Sequence, residues 1–429
     1  MAEPAPRSAP GLAGYWPSRW PGEDGGPRRT QAPASGAGLG IRGGERLEVV
    51  SREVPAATMV VLRDPGEAYL LRHTGGDAAI SWVEQIDPET LAPVVRSPDL
   101  PGGPTWPGGL AAHANGSLYV AFGRHVHRIG ADTVPIASRT LPRERPYNSF
   151  VILPDGHLAT KDFGGVLPGG SAPATEPAEL LVLEPDRLEI VARLALPERS
   201  IARLSADGDD IYVVGDESLL RARWDGTALT LDDGFRARYR TLDGQGYGWD
   251  AVLDGGAAWF LDDGEGTERF AGTFRGLGVA RAPLHLVRVD MTTGTVGLTE
   301  ICGEPGGIVA NPPVVDPVRR IAVGYDSANG VLAAFTVAGD GALEPRWRRP
   351  QHHASHLIRF PDTGELVTAD YDHEHHADQV IVLDLETGTE RARARTGSPL
   401  QSVVFPAPGF GRDLYLCSFT TLSRVTVAG

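Results

Sequence analysis

From residue 45 onward, short apolar runs and tight turns recur in a fixed order. An apolar run comes first: MVVL from Met59, LAAHA from Leu110, SFVIL from Ser149, AVL from Ala251, HLIRF from His356 and SVVF from Ser402. A turn follows each: Asp64-Pro-Gly, Asn115-Gly, Asp155-Gly, Asp254-Gly, Asp362-Thr-Gly, with Asp207-Gly marking a further unit. Asp or Asn before Gly can take the positive φ that a hairpin turn requires. Then comes an alternating strand, as in AYLLRH, SLYVAF, HLATKDF, DIYVVGD, AWFLDD, IAVGYD, ELVTADYD and LYLCSF. A third strand runs into a second turn, at Ile86-Asp-Pro-Glu-Thr, Leu183-Glu-Pro-Asp, Val289-Asp-Met-Thr-Thr-Gly and Leu383-Asp-Leu-Glu-Thr-Gly. A fourth, more polar strand closes the unit.

Four short strands repeating every roughly 40–60 residues predict an all-β fold, a β-propeller of four-stranded blades. Units start near 58, 109, 148, 200, 250, 312 and 355, and an incomplete one runs from about 400 to Gly429. Its missing fourth strand is supplied by Arg46 to Val54, which pairs the two ends of the chain and removes both sheet edges. The count is eight blades, with seven as the fallback, because the units near Ile201 and Asn311 match the pattern least. The expected organisation is a Pro/Gly-rich N-terminal tail or wrapped arm over 1–44 and a propeller over 45–429. Trp16 and Trp20 are expected to dock that arm on the body.

Composition narrows the partners. The 429 residues include 54 Gly and 35 Pro, which suits strands and turns better than helices. The net charge of −15 disfavours a nucleic-acid partner. Two cysteines, Cys302 and Cys417, cannot build a disulfide framework or a four-thiolate zinc site. No apolar run approaches the roughly 20 residues of a membrane helix. The N-terminal residues lack the charged and apolar regions of a secretion signal. A monomeric, cytoplasmic protein with a small-molecule substrate and no membrane partner is the expectation.

Candidate chemistry collects on one face, in the loops leading into inner strands and those joining second to third strands. Loops after Lys161 and Asp262 are long and Gly-rich, as lids are. Asn148, Asp250 and Asn311 would present oxygen atoms around one axis, which suits calcium or magnesium. His352-His353, His356 and the run Asp370 to Asp378 hold six of the twelve histidines. With their carboxylates they suit zinc, manganese or iron, with His353 and Asp370 as ligands. On an extended segment His373 and His375 would point the same way. A solvated polar loop is the plain alternative. His356 or His373 could move a proton, with Lys161 and Asp262 as further catalytic candidates. Trp106, Tyr147, Trp249, Tyr325 and Tyr371 could hold a substrate.

Two resemblances bear on this. RPYNSFVILPDGHLATKDF, GYGWDAVLDGGAAWFLD and SPLQSVVFPAPGFGRDLYLCSF resemble blades of the gluconolactonase/senescence-marker propellers. That family uses an Asn and an Asp leading into inner strands to bind a catalytic divalent ion, and Asn148 and Asp250 match by position. It has six blades, however, and its N-terminal metal-binding glutamate has no counterpart here. The turn Asp-x-x-Thr-Gly at Asp290 and Asp384 is similar to the repeat of quinoprotein (PQQ-type) eight-bladed propellers, which implies fold more than function. The vicinal cysteine pair of some quinoprotein dehydrogenases is missing, so bound PQQ is not expected. Three readings follow. The first is a hydrolase or lyase acting on a small polar or lactone-like metabolite with a divalent ion. The second is a non-catalytic binding propeller, whose ring carboxylates would be paired with Arg or Lys. The third is a quinoprotein-like oxidoreductase.

Overall fold

The computed structural model describes residues 12–429 except 168, 169, 171 and 404. The start of the arm, part of the loop after Lys161 and one residue of the run from Ser402 therefore lie outside the described residues. The alternating units fold as eight antiparallel sheets, seven of four strands and one of five. Their first strands are Ala57–Leu62, Gly109–Ala112, Tyr147–Ile152, Ser205–Asp207, Val252–Asp254, Val314–Asp316, Ile358–Phe360 and Ala407–Pro408, in blades 1 to 8. First strands of neighbouring blades meet around a central axis. They are short and almost wholly buried because eight of them crowd one channel. The outermost strands alternate between half-buried and exposed positions, as Pro135–Thr140 and Ile190–Ala195 do. The fold is an eight-bladed β-propeller, and the seven-blade fallback is set aside.

Ring closure follows the expected route. Arg46–Glu53 pairs antiparallel with Thr421–Ala428, from Arg46 opposite Ala428 to Glu53 opposite Thr421. The recurrent Asp-x-x-Thr-Gly is a turn device. Asp290 Oδ1 accepts from the backbone N–H of Thr292 (3.0 Å) and Thr293 (2.8 Å), and Gly294 takes φ 71°. Asp384 repeats this with Glu386 and Thr387, and Gly388 takes φ 69°. Among the described residues, helix is confined to single turns at Glu23–Gly25 and Thr267–Arg269. No helix there is long and apolar enough to cross a membrane.

The N-terminal arm is an integral part of the ring. It runs across the face that carries the hairpin turns and bonds to every blade. Inner-strand edges have unpaired N–H groups there, and the arm supplies their acceptors. Leu62, Ala112, Ala206, Leu253 and Arg359 donate to the carbonyls of Trp20, Pro21, Pro27, Arg28 and Gln31 at 2.7–2.9 Å. In blade 3, Ile152 N–H donates to the Tyr15 hydroxyl (3.0 Å). Gln31 bonds the Pro313 carbonyl in blade 6, and Arg19 bonds the Gly409 carbonyl in blade 8 (3.0 Å). Trp20 is 1% exposed, and Trp16 donates its indole N–H to Asp64 (3.0 Å) beneath the Arg63 guanidinium. Both tryptophans anchor the arm. The channel is thus capped at the turn face and opens toward the loop face.

Candidate functional site

The loops on the open face enclose a cavity of about 270 Å³ at the channel mouth. Trp106, Trp249 and Phe405 reach it from segments leading into the inner strands of blades 2, 5 and 8. Phe270 and Phe274 come from the long insertion of blade 5, and Phe419 from blade 8. The insertion behaves as a strap. It crosses to blade 8, where the Gln401 side chain accepts from Phe274 N–H (2.8 Å) and Gln401 N–H donates to the Gly272 carbonyl (2.8 Å). Phe270 and Phe274 pack on one another at 4.9 Å between ring centroids. Trp106 stacks on Phe163 at 4.0 Å and 22°, which fixes one wall.

The polar atoms of this cavity are few and specific. Trp106 Nε1, Trp249 Nε1 and His73 Nε2 are buried and have no hydrogen-bond partner among the described residues. His73 Nδ1 donates to its neighbour's carbonyl, Thr74 O (2.9 Å), so Nε2 is an acceptor. Burial lowers the pKa of this imidazole and keeps it neutral. Two N–H donors and one nitrogen acceptor therefore belong to the walls of a mostly apolar space, which Arg203, Asn311 and Glu268 also line. An unmet buried polar group costs about 1–3 kcal/mol, so three in one cavity mark a place built for a complementary molecule.

Below the cavity lies an ionic cluster formed by the channel and the arm. Counting two positions back from an inner strand gives Arg203, Asp250, His356 and Phe405 in blades 4, 5, 7 and 8. Arg203 forms an ion pair with Glu23 (2.8 Å) and donates its Nε–H to the Asn148 carbonyl (3.2 Å), its backbone N–H donates to Asp250 (2.6 Å), and its guanidinium lies 4.8 Å from the Phe405 ring. Arg29, 1% exposed, meets Asp24 (3.0 Å), Glu23 (3.2 Å) and Ser149 (3.3 Å). His356 Nδ1 faces Asp24 Oδ1 at 2.6 Å. Burial alone would raise the pKa of Asp24, but His356 and Arg29 outweigh it and hold the carboxyl below its usual range.

Of the residues singled out from the sequence, Trp106, Trp249 and Asn311 line the cavity. Asp250 and His356 lie in the cluster beneath it. The five metal candidates do not assemble. Asp250 is paired with Arg203, and Asn148 donates its Nδ2–H to the Ile201 carbonyl (3.0 Å). Asn311 donates its Nδ2–H to the Ala354 carbonyl. Both ring nitrogens of His353 are bonded, to Ser355 O (2.6 Å) and Ala369 N–H (3.0 Å). Asp370 accepts from His352 and Tyr371 N–H and meets Arg393 at 3.4 Å. Among the described residues no group of three or more His, Cys, Asp or Glu is placed to hold an ion.

The remaining candidates have structural partners elsewhere. Lys161 is buried, donates to Ser200 O (3.1 Å) and Asp162 O (3.3 Å), and is pushed down to about 8 by burial. Asp262 receives His285 Nδ1 (3.0 Å) and Gln245 (2.8 Å). Tyr147 accepts from Arg143 N–H (3.4 Å), Tyr325 donates to Asn311 O (2.7 Å) and Tyr371 to Pro399 O (2.6 Å). His373 packs on His352 at 4.7 Å and on Tyr371 at 5.0 Å. The extended segment expected for His373 and His375 is instead a turn. Asp372 Oδ1 accepts from Glu374 and His375 N–H (both 3.1 Å), His376 takes φ 50°, and the His375 ring bonds Asp372 Oδ2 (2.8 Å). Arg203, Phe405 and the strap phenylalanines were not among the site candidates. The two-residue offset before each inner strand would have found Arg203 and Phe405.

No protein-family model matches this chain, and no curated protein matches it in sequence. Solved structures share its fold. BamB from Moraxella catarrhalis superposes with TM-score 0.60 at 12% identity, over 89% of this chain and 99% of that one. The quinohemoprotein alcohol dehydrogenase of Comamonas testosteroni gives 0.62 at 10%, over 95% and 80%. That of Pseudomonas putida gives 0.62 at 9%, over 96% and 80%. At such identities the likeness is one of fold alone, that of a β-propeller.

Proposed function

We propose that this propeller takes a compact, largely apolar ring compound bearing a carbonyl-like oxygen, a lactone or a relative of one, in the mouth cavity. The observation that carries the reading is the pair of unpartnered indole N–H groups of Trp106 and Trp249 in one aromatic chamber. A ring carbonyl satisfies both donors, the phenyl and indole faces cover the ring, and His73 Nε2 accepts from a hydroxyl on its edge. The volume, about 270 Å³, falls just under the roughly 300–1,000 Å³ of sites for drug-sized molecules, so the ligand is smaller than these. The apolar walls favour a lactone-like compound over a polyhydroxylated one. The arginine-paired carboxylate at Asp250 supports ligand binding ahead of metal-assisted hydrolysis.

A quinoprotein-like oxidoreductase is the second reading, favoured by the fold of the dehydrogenases above. An anionic quinone cofactor does not fit the chamber. Its walls are mostly apolar, Glu268 adds a carboxylate to them, and the lining guanidinium, Arg203, is already paired with Glu23 and Asp250. Cys302 and Cys417 are both outside any disulfide.

Isothermal calorimetry with coumarin and with gluconolactone tests the proposal. Coumarin is expected to bind and gluconolactone not to. Trp249→Phe keeps the ring and removes the donor, so it should weaken coumarin about tenfold, the value of one hydrogen bond of roughly 1.4 kcal/mol. Preference for the polyol, or an unchanged affinity in Trp106→Phe/Trp249→Phe, would overturn it.

A further inference from the structure

The two ends of the chamber differ in charge. Directly beneath it, three cationic side chains, Arg29, Arg203 and Lys161, stand among three carboxylates, Glu23, Asp24 and Asp250. His356 is bonded to Asp24 there. With either form of that imidazole, the floor carries no surplus negative charge at neutral pH. Its lining guanidinium, Arg203, is held by Glu23 (2.8 Å) and Asp250 (3.4 Å).

The roof is acidic and aromatic. Glu268 lines the cavity from the single turn Thr267–Arg269, at the start of the strap. Among the described residues it forms no ion pair with Arg, Lys or His. Arg269 donates to the Leu277 carbonyl (3.3 Å), and Arg275 lies beside His352 and His373. The charged neighbour of Glu268 is another carboxylate, Glu265, whose own partner is Arg240 (3.6 Å). Two residues on from Glu268, Phe270 begins a group of three phenyl rings that all line the cavity. Phe270 is tilted 51° to Phe274 at 4.9 Å between centroids, and 54° to Phe419 at 6.4 Å. Phe274 is 2% exposed among Ile308, Ala310, Ala328 and Ala354, and Gln401 holds its N–H. Ring faces carry the negative part of the aromatic quadrupole, and a group of them beside an unmatched carboxylate attracts an organic cation.

We propose that Glu268, Phe270, Phe274 and Phe419 select a ligand with a quaternary or protonated amine nitrogen, held under the strap while the ligand's carbonyl oxygen meets the indole N–H groups of Trp106 and Trp249. The proposal rests on the mouth cavity being the ligand site and names a second functional group for what it takes: a ring compound with an oxygen acceptor at one end and a positive charge at the other. Glu268 is then a specificity-determining residue. The fixed charges set the ligand's direction, because Arg203 repels a cation from the floor and Glu268 draws it to the roof. His73, the remaining titratable group of the lining, is kept neutral by burial and opposes neither end. The net charge of −15 favours the approach of a cation from solution.

The test compares two probes of one shape. 4-Acetyl-1-methylpyridinium and 4-methylacetophenone share a ring, a methyl group and a carbonyl, and differ by one permanent positive charge. Calorimetry on the full chain at low ionic strength should find the cation bound at least about tenfold more tightly. Glu268→Gln should reduce that ratio to about threefold or less. Phe270→Leu should reduce it as well, because leucine fills space without a ring quadrupole. Raising salt to about 0.5 M should shrink the wild-type ratio, because Glu268 is exposed at the rim. Binding of 4-methylacetophenone by each variant shows that its chamber is formed.

Equal affinities of the two probes for the wild type overturn the proposal and leave the cavity reading standing. A ratio left unchanged by either substitution overturns it too, because the charge is then read elsewhere. Failure of both probes and of coumarin to bind overturns the cavity reading, and the proposal with it.

Discussion

At the scale of single residues, buried carboxyls set how stability responds to pH. Asp378, 1% exposed in blade 7, accepts from the Ser402 hydroxyl (2.8 Å) and its backbone N–H (3.1 Å). Burial outweighs these bonds and pushes it up to about 7. The unfolded chain titrates this group near about 3.9. Between those values the folded protein holds a proton that the unfolded chain has released, so stability falls as pH rises through 7. Asp263, raised to about 8 by burial first and by Asp262 second, adds a loss of the same sign. Asp24 acts oppositely. Its pKa is depressed, so its contribution is present above the usual carboxylate range and is lost in acid. Urea midpoints should therefore decline from about pH 5 to about pH 8.5. Asp378→Asn should remove part of that decline, by as much as about 4 kcal/mol. An identical slope in the variant would contradict the assignment.

At the scale of elements, the arm and the strap do what strands cannot. Both are irregular, and both are held by side chains aimed at backbone. Arg29 is the key to the arm, with bonds to Asp24, Glu23, Ser149 and the Leu204 carbonyl. Arg29→Met keeps the bulk and strands two carboxylates in the channel, which should cost about 3–5 kcal/mol. Chemical denaturation measures this, and a change under about 1 kcal/mol would mean that the cluster contributes little. The arm also shows where reading the sequence stops. The strands were legible because alternation and Asp-Gly turns are local signals, and so was the docking of Trp16 and Trp20. The pairing of Asp24 with His356 spans 332 positions, and no local pattern announces it. The polar residues leading into inner strands were rightly placed on one face. Their bonding was not legible, because the pairing of Asp250 with Arg203 and the bond from Asn148 Nδ2–H to the Ile201 carbonyl join residues 47 and 53 positions apart. The chamber was only partly visible. Trp106 and Trp249 stood out as aromatics near turns, whereas Phe270 and Phe274 sit in an insertion whose course depends on a bond to Gln401.

For the whole molecule, the consequence is a channel with one mouth. The arm bonds to all eight blades on the turn face, so a ligand reaches the cavity from the loop face, past the strap. The ring must stay round for this geometry to persist, because Trp106, Trp249 and Phe405 come from blades far apart in sequence. Roundness depends on the seam, where Arg46–Glu53 completes blade 8 beside Thr421–Ala428. A propeller opened there would expose the edge of Thr421–Ala428, whose unpaired N–H and C=O groups invite a second chain. Val49 lies mid-seam, opposite Val425. Val49→Pro removes a donor and clashes with the ladder, at a cost of roughly 1–3 kcal/mol. Two readouts are expected to move together. Light scattering should show association that grows with concentration, and coumarin affinity should fall although position 49 touches nothing in the cavity. If affinity fell without association, the seam would act on the site through the arm that precedes it. If association appeared with affinity intact, the cavity would be held by the inner strands alone, and closure would serve only to hide an edge.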